Sequence, residues 1–160
     1  PWLTVEENVR FGLDIKKVPE ARKKEQVEKY LEIVGLTNYR KYYPKQLSAS
    51  MLQRVSIARA FATEPELLLM DEPYGQLDIE LRFKLEDELV KLWKLTKTTV
   101  LFITHNIEEA VYLGNKIMIL TNKPTTVKKT IVNDLPRPRD IAAPEFVELR
   151  NQVTELIKWW

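Results

Sequence analysis

The sequence predicts an α/β protein, a helical region followed by a mainly parallel sheet with crossover helices. Three observations carry this. Residues 67–70 are four apolar residues without alternation, the pattern of a strand buried on both faces of a parallel sheet. A piece of buried helix would look the same, but Asp71, Glu72, Pro73 and Gly75 end the run abruptly, and Pro73 cannot donate to a ladder. Residues 98–104, TTVLFIT, form a second apolar run, rich in β-branched residues. Helix-like stretches separate these two runs from each other and from a third at 116–120, which is the βαβ rhythm of a parallel sheet.

In chain order, Thr4 is placed to cap a helix starting at Val5, with Glu6 and Glu7 in its first turn and Val9 and Leu13 on one face. Pro19 opens a second helix, whose apolar positions Val27, Tyr30, Leu31 and Val34 recur at helical spacing, and Gly35 is its natural stop. A short tyrosine-rich stretch, 37–44, precedes the segment QLSASMLQR. There Ser50 and Gln53 make a capping-box pattern, and Ile57, Ala58, Phe61 and Ala62 continue an apolar face until Thr63 and Pro65. After the first strand, a long amphipathic helix from Asp78 to about Lys97 carries Leu81, Leu85, Leu89 and Leu92 on one stripe. A short helix at 106–113 joins the second and third strands. A further strand at 127–132 pairs across the turn at 122–124. LPRPRD, 135–140, reads as a stiff proline linker, and a helix from Pro144 to Trp160 closes the chain. The expected organisation is therefore 1–65 helical, 66–134 sheet and helices, and 135–160 linker and helix.

Composition narrows the function classes. The 25 basic and 23 acidic residues leave a net charge of +2, too balanced for a nucleic-acid surface. Without cysteine there are no disulfides or thiolate metal sites. No apolar run approaches a membrane span and no signal-peptide pattern opens the chain. The four glycines, at 12, 35, 75 and 114, never cluster, whereas a phosphate-cradling loop is built from clustered glycines.

Two carboxylates, Asp71 and Glu72, end the first strand, where open α/β sheets place their ligands. An acidic pair there can simply cap the following turn. It can also hold Mg²⁺ through the aspartate and orient an attacking water through its neighbour. His105, the only histidine, stands at the end of the adjacent predicted strand, either as a structural side chain or facing the same ligand as Glu72.

QLSASMLQRVSIARAF, LLLMDEPYGQLD and VLFITHNIEEA, in this order and spacing, resemble the nucleotide-binding subunit of ATP-binding cassette (ABC) transporters. The flanking PWLTVEENV and LPRPRD resemble the bacterial importers for nitrate, sulfonate or taurine. The resemblance covers essentially the whole chain and implies a partial P-loop NTPase fold of ABC type, incomplete at the N-terminal side. It implies that Asp71 is the Walker B aspartate supporting Mg²⁺, Glu72 the catalytic glutamate that polarises water, and His105 the switch histidine sensing the γ-phosphate of ATP. Residues 75–78, ending at Asp78, match the D-loop at the dimer interface. Ser48, Ala49, Ser50 and Met51 lie in the signature loop, which presses on ATP held by a second nucleotide-binding subunit. Residues 1–65 would receive the transmembrane permease subunits, on the inner face of the bacterial plasma membrane, with the subunit peripheral and cytoplasmic.

The sequence departs from that pattern twice. Ala49 and Ser50 replace the signature glycines, and each Cβ crowds the approach to phosphate, although the Ser48 hydroxyl and the helix start still offer donors. No G-x-x-x-x-G-K-[ST] occurs, so the amide cradle, lysine and hydroxyl that hold triphosphate and Mg²⁺ are missing, as is the Q-loop glutamine. The expectation is a carboxy-terminal segment of a transporter ATPase that does not bind or hydrolyse ATP by itself. Its bare sheet edges would favour self-association. The alternative is a degenerate interaction or regulatory module that keeps the permease-docking surface. A chromosome-maintenance ATPase would need a long coiled coil that the sequence lacks.

Overall fold

The computed structural model describes residues 1–75 and 77–158. They divide into two units, Pro1–Leu101 and Phe102–Trp160.

The first unit opens with α1 (Val5–Ile15), and its start follows the sequence signal. The Thr4 hydroxyl accepts from the Glu7 amide at 3.3 Å, while the Glu7 carboxylate accepts from the Thr4 amide at 2.7 Å, a reciprocal capping box. Two further first-turn amides are met from the tyrosine-rich stretch: Val5 N–H donates to the Tyr42 carbonyl and Glu6 N–H to that of Arg40, both at 2.9 Å. That stretch is therefore the lid on the amino end of α1, held also by the Arg40–Glu6 ion pair at 2.8 Å. Helix α2 (Glu20–Ile33) ends where Gly35 takes φ +67°, and Leu36 N–H reaches back to the Leu31 carbonyl at 2.8 Å, the left-handed stop that glycine permits.

Helix α3 (Ala49–Ala62) packs on both α1 and α2. A Cβ on Gly12 of α1 would lie 2.5 Å from the Thr63 methyl at the end of α3, so this crossing needs a glycine. Val5, Val9, Tyr30, Leu31, Ala58 and Phe61 form the buried centre of the three helices. The cap of α3 corrects the sequence expectation. Ser48, not Ser50, is the extended N-cap residue, its hydroxyl accepting from the Met51 amide at 3.3 Å. Alanine, the best helix former, occupies position 49 and costs nothing in a first turn, so the helix starts before Ser50.

Strand β1 (Leu67–Asp71) pairs with β2 (Thr99–Ile103), with α4 (Ile79–Thr96) between them in sequence. At the start of the pair Thr99 N–H donates to the Glu66 carbonyl at 3.1 Å. The expectation of a strand buried on both faces is corrected: Leu67 and Leu69 are 53% and 67% exposed, and Leu101 of β2 is 49% exposed. Side chains alternate along a strand, and among the described residues only one of the two alternating sets is shielded. The same lack of cover applies to β2, expected as a buried strand. Helix α4 buries Leu85, Leu89 and Leu92 as its stripe predicts, while Leu81 is half-buried.

In the second unit α5 (Ile107–Leu113) leads to β3 (Lys116–Leu120), which pairs antiparallel with β4 (Val127–Val132), and α6 (Pro144–Ile157) follows. The pairing across the turn matches the sequence expectation, although β3 belongs to this hairpin and not to the sheet of β1 and β2. Val111, Ile117, Ile119, Ile131, Phe146 and Val153 form its core. The closing helix ends at Ile157, short of the expected Trp160; Trp159 and Trp160 lie outside the described residues. LPRPRD is not a free linker. Arg139 is 6% exposed and its guanidinium donates to carbonyls of this same unit, because a buried guanidinium must satisfy its five donors.

Candidate functional site

The candidate site is built on the carboxyl end of β1. Asp71 closes the strand with its side chain exposed, and the chain turns at once. Glu72 sits at φ +43°, the left-handed region that costs a residue with a Cβ roughly 1 kcal/mol or more. Its carbonyl accepts from Gly75 N–H at 3.2 Å, and Leu77 N–H then bonds the Tyr74 carbonyl at 3.1 Å. Two successive turns thus fold Asp71, Glu72 and Gly75 into one compact corner. The next step is a helix cap: Asp78 accepts from Leu81 N–H at 2.9 Å and starts α4. Gln76, within the stretch matched to the D-loop, lies outside the described residues.

Tyr74 holds the corner down, and sequence reasoning missed it. It is 1% exposed, and its hydroxyl donates to the Leu85 carbonyl of α4 at 3.3 Å. A buried tyrosine needs a partner for its hydroxyl, and here the partner lies on the helix that follows. The available signal was a large aromatic residue between Pro73 and Gly75, where a surface turn would carry a small or polar one.

The other expected site residues stand on their own elements. Ser48, Ala49, Ser50 and Met51 form the start of α3, with Ser48 exposed and Met51 partly covered. The Ser48 oxygen is engaged by the Met51 amide, which leaves its O–H and the first-turn amides of Ala49 and Ser50 as donors. His105 belongs to the second unit, exposed, between Thr104 and Asn106. Both neighbours are tied into α5. The Asn106 side chain accepts from Glu108 and Glu109 N–H, the Thr104 hydroxyl donates to the Glu109 carboxylate at 2.6 Å, and Asn106 N–H donates to Thr104 Oγ1 at 2.9 Å.

The donor chemistry fits Mg²⁺ in part. Asp71 and Glu72 supply hard carboxylate oxygens of the kind Mg²⁺ takes, usually one or two with water and phosphate completing the shell. Among the described residues no group of three or more His, Cys, Asp or Glu side chains gathers around a metal position. The triphosphate has no glycine-rich amide cradle and no P-loop lysine, so no catalytic step follows from these residues alone.

The fold and this corner define a class: a mixed α/β chain with the partial architecture of an ABC-type P-loop NTPase, carboxylates at a strand end and a capped helix ahead of them. Residues 1–75 match the family model described as ABC transporter, and over nearly its whole length the chain is similar to ABC transporter ATP-binding proteins. It is 44% identical over 158 residues to an uncharacterized ABC transporter ATP-binding protein of Methanocaldococcus jannaschii, covering 99% of this chain and 59% of that protein. It is 45% identical over 156 residues to a putative ATP-binding protein of Brucella abortus, covering 96% and 60%. It is 44% identical over 155 residues to the aliphatic sulfonates import ATP-binding protein SsuB of Bacillus cereus, covering 97% and 61%. The chain spans about three-fifths of the length of these relatives. No helix among the described residues is long and apolar enough to cross a membrane.

Proposed function

We propose that this chain is the signature and Walker B portion of an ATP-binding subunit that couples ATP hydrolysis to import of a small anion of the sulfonate, nitrate or taurine kind. The observation that carries it is the corner after β1, where Asp71 ends the strand and Glu72 is held at positive φ; backbone strain of this sort concentrates at functional positions. The name of the SsuB relative supports an anionic, sulfonate-like solute. In this reading Asp71 supports Mg²⁺, Glu72 polarises the hydrolytic water and His105 meets the γ-phosphate. Ser48–Met51 and Asp78 face a second nucleotide-binding subunit. Residues 1–65 dock the permease subunits, with the protein peripheral on the cytoplasmic face of the plasma membrane.

Lacking a phosphate loop, the chain alone neither binds nor hydrolyses ATP. Calorimetric titration of the purified chain with Mg-ATP is the test: no heat of binding is expected, and micromolar affinity would overturn the reading. A second reading, a non-catalytic module that keeps only the docking surface, is favoured by the start of α3, where Ala49 and Ser50 put Cβ atoms in the place of glycine. Extending the chain upstream through a phosphate loop separates the two, since Mg-ATP binding then appears only under the first. The bare row Leu67, Leu69 and Leu101 supports self-association of the chain as it stands. A monomer by light scattering over a wide concentration range would refute that.

A further inference from the structure

Helix α5 has two turns, spanning about 10 Å at the usual helical rise, and a helix this short does not persist by its own propensity. Both of its ends are tied. At the amino end Thr104 and Asn106 are bonded into the first turn, so the backbone of His105 between them moves with the helix. At the carboxyl end the orphan carbonyls meet two arginines and an asparagine. Arg139 Nη1 donates to the carbonyls of Val111, Tyr112 and Gly114 at 3.0, 2.7 and 2.9 Å. Its Nε and Nη2 reach the carbonyls of Leu135 and Asn133, both at 3.2 Å. Arg137 donates to the carbonyls of Tyr112 and Leu113, and Asn133 Nδ2 to those of Val111 and Gly114 at 2.8 and 2.9 Å.

No carboxylate pairs with Arg139 among the described residues, so its charge faces carbonyl oxygens and the negative end of the helix dipole. A planar fork that bonds five carbonyls at once fixes direction as well as charge, which an ammonium group does not.

We infer that Arg139, with Arg137, is a positioning residue for His105, holding the far end of the two-turn helix that begins just after it. The inference rests on the proposed meeting of His105 with the γ-phosphate. In this role the arginines act through the carbonyls at the end of α5. LPRPRD is then a clasp that steadies the backbone of His105 within the second unit.

His105 is the only histidine, so its imidazole Cε1–Hε1 correlation in an NMR spectrum of the whole chain reports on one group. We expect R139A and R137A each to shift or broaden that correlation. Each should also speed exchange of the α5 amides by roughly tenfold while the β3 and β4 amides stay within about twofold. R139K, which keeps charge and loses the fork, should fall between. An unmoved imidazole in both alanine variants overturns the inference. So does equal acceleration of α5 and of the hairpin in R137A, which also decides the matter if R139A unfolds the unit. In a chain extended to carry a phosphate loop, unchanged ATP hydrolysis by H105A would sink the role of His105. The imidazole spectra then show that the positioning stands and the assigned role failed.

Discussion

Basic side chains tie helices down in both units, and the acceptors they use are opposite in kind. Between α1 and α2 the acceptors are carboxylates: Arg10 bonds Asp14 and Glu20 at 3.0 and 2.8 Å, and Lys23 bonds the same two at 2.5 and 2.8 Å. At the end of α5 the acceptors are main-chain carbonyls, met by Arg137 and Arg139 from inside the unit. In the first arrangement Asp14 and Glu20 are exposed although Lys23 is covered at 8% exposure, and ion pairs whose carboxylates face water are screened and worth little. The second is desolvated, and burial pushes the Arg139 guanidinium down to about 10, helped by Arg137 beside it. It stays cationic at neutral pH. The difference teaches that a cation can be kept inside a small unit without a counter-charge when helix carbonyls, which would otherwise be orphaned, supply the compensation.

The comparison is broken most directly at Asn133, which is 2% exposed and serves the same carbonyls as Arg139. Asn133→Ala removes the amide donor to the Val111 and Gly114 carbonyls, leaving Arg139 as their side-chain donor, and takes the Oδ1 acceptor from Leu135 N–H. A loss of about 2 kcal/mol is expected, confined to the second unit and read by hydrogen exchange of the α5 amides, whose carbonyl end Asn133 holds. A loss shared equally by α1–α3 would mean that the carbonyl clamp is not a local device.

Helix placement was largely legible in the sequence, because caps and spacing are local chemistry. Thr4 with Glu7 and Gly35 at positive φ act as their residue types predict. What was not legible depends on partners that composition does not name. The apolar run at 67–70 specified a strand but not what lies against it, so the exposure of Leu67 and Leu69 could not be read from it. Ser48 and Ser50 are equally good caps by type, and only the backbone of residue 48 tells which one is used. Arg137 and Arg139 were hidden behind their prolines, since arginine is ordinarily a surface residue and its acceptors are main-chain atoms with no sequence signature. At the candidate site Asp71 and Glu72 were nominated from their address at a strand end, whereas Tyr74, which fixes their turn, was not noticed.

An intermediate test uses the capping box. Thr4→Ala removes the acceptor for Glu7 N–H and the hydroxyl donor to the Glu7 carboxylate, while the Thr4 backbone N–H, which chiefly holds that carboxyl below its usual range, stays in place. The expected cost is about 1 kcal/mol, appearing as earlier thermal unfolding of α1. A larger cost would place some of the role of this cap in its neighbour, the loop of Tyr42.

The smallest effect belongs to the exposed carboxylates. Hydrogen bonds first from Arg10 and then from Lys23 hold Asp14 below the ordinary carboxylate range, and Lys23 chiefly does the same for Glu20. A carboxyl whose folded pKa is depressed contributes stability that is fully present above its unfolded value and is lost as pH falls through the folded one. The α1–α2 network should therefore weaken only below about pH 4, and it should weaken further with added salt. The carbonyl acceptors at α5 do not titrate, so lowering the pH from 7 to 3 should speed amide exchange at the α1–α2 junction before it does so at the end of α5. Asp14→Asn should abolish part of that pH dependence while changing stability at pH 7 by less than Thr4→Ala does. If acid loosened α5 first, the distinction between carboxylate and carbonyl acceptors would not be what sets the two helix ties apart.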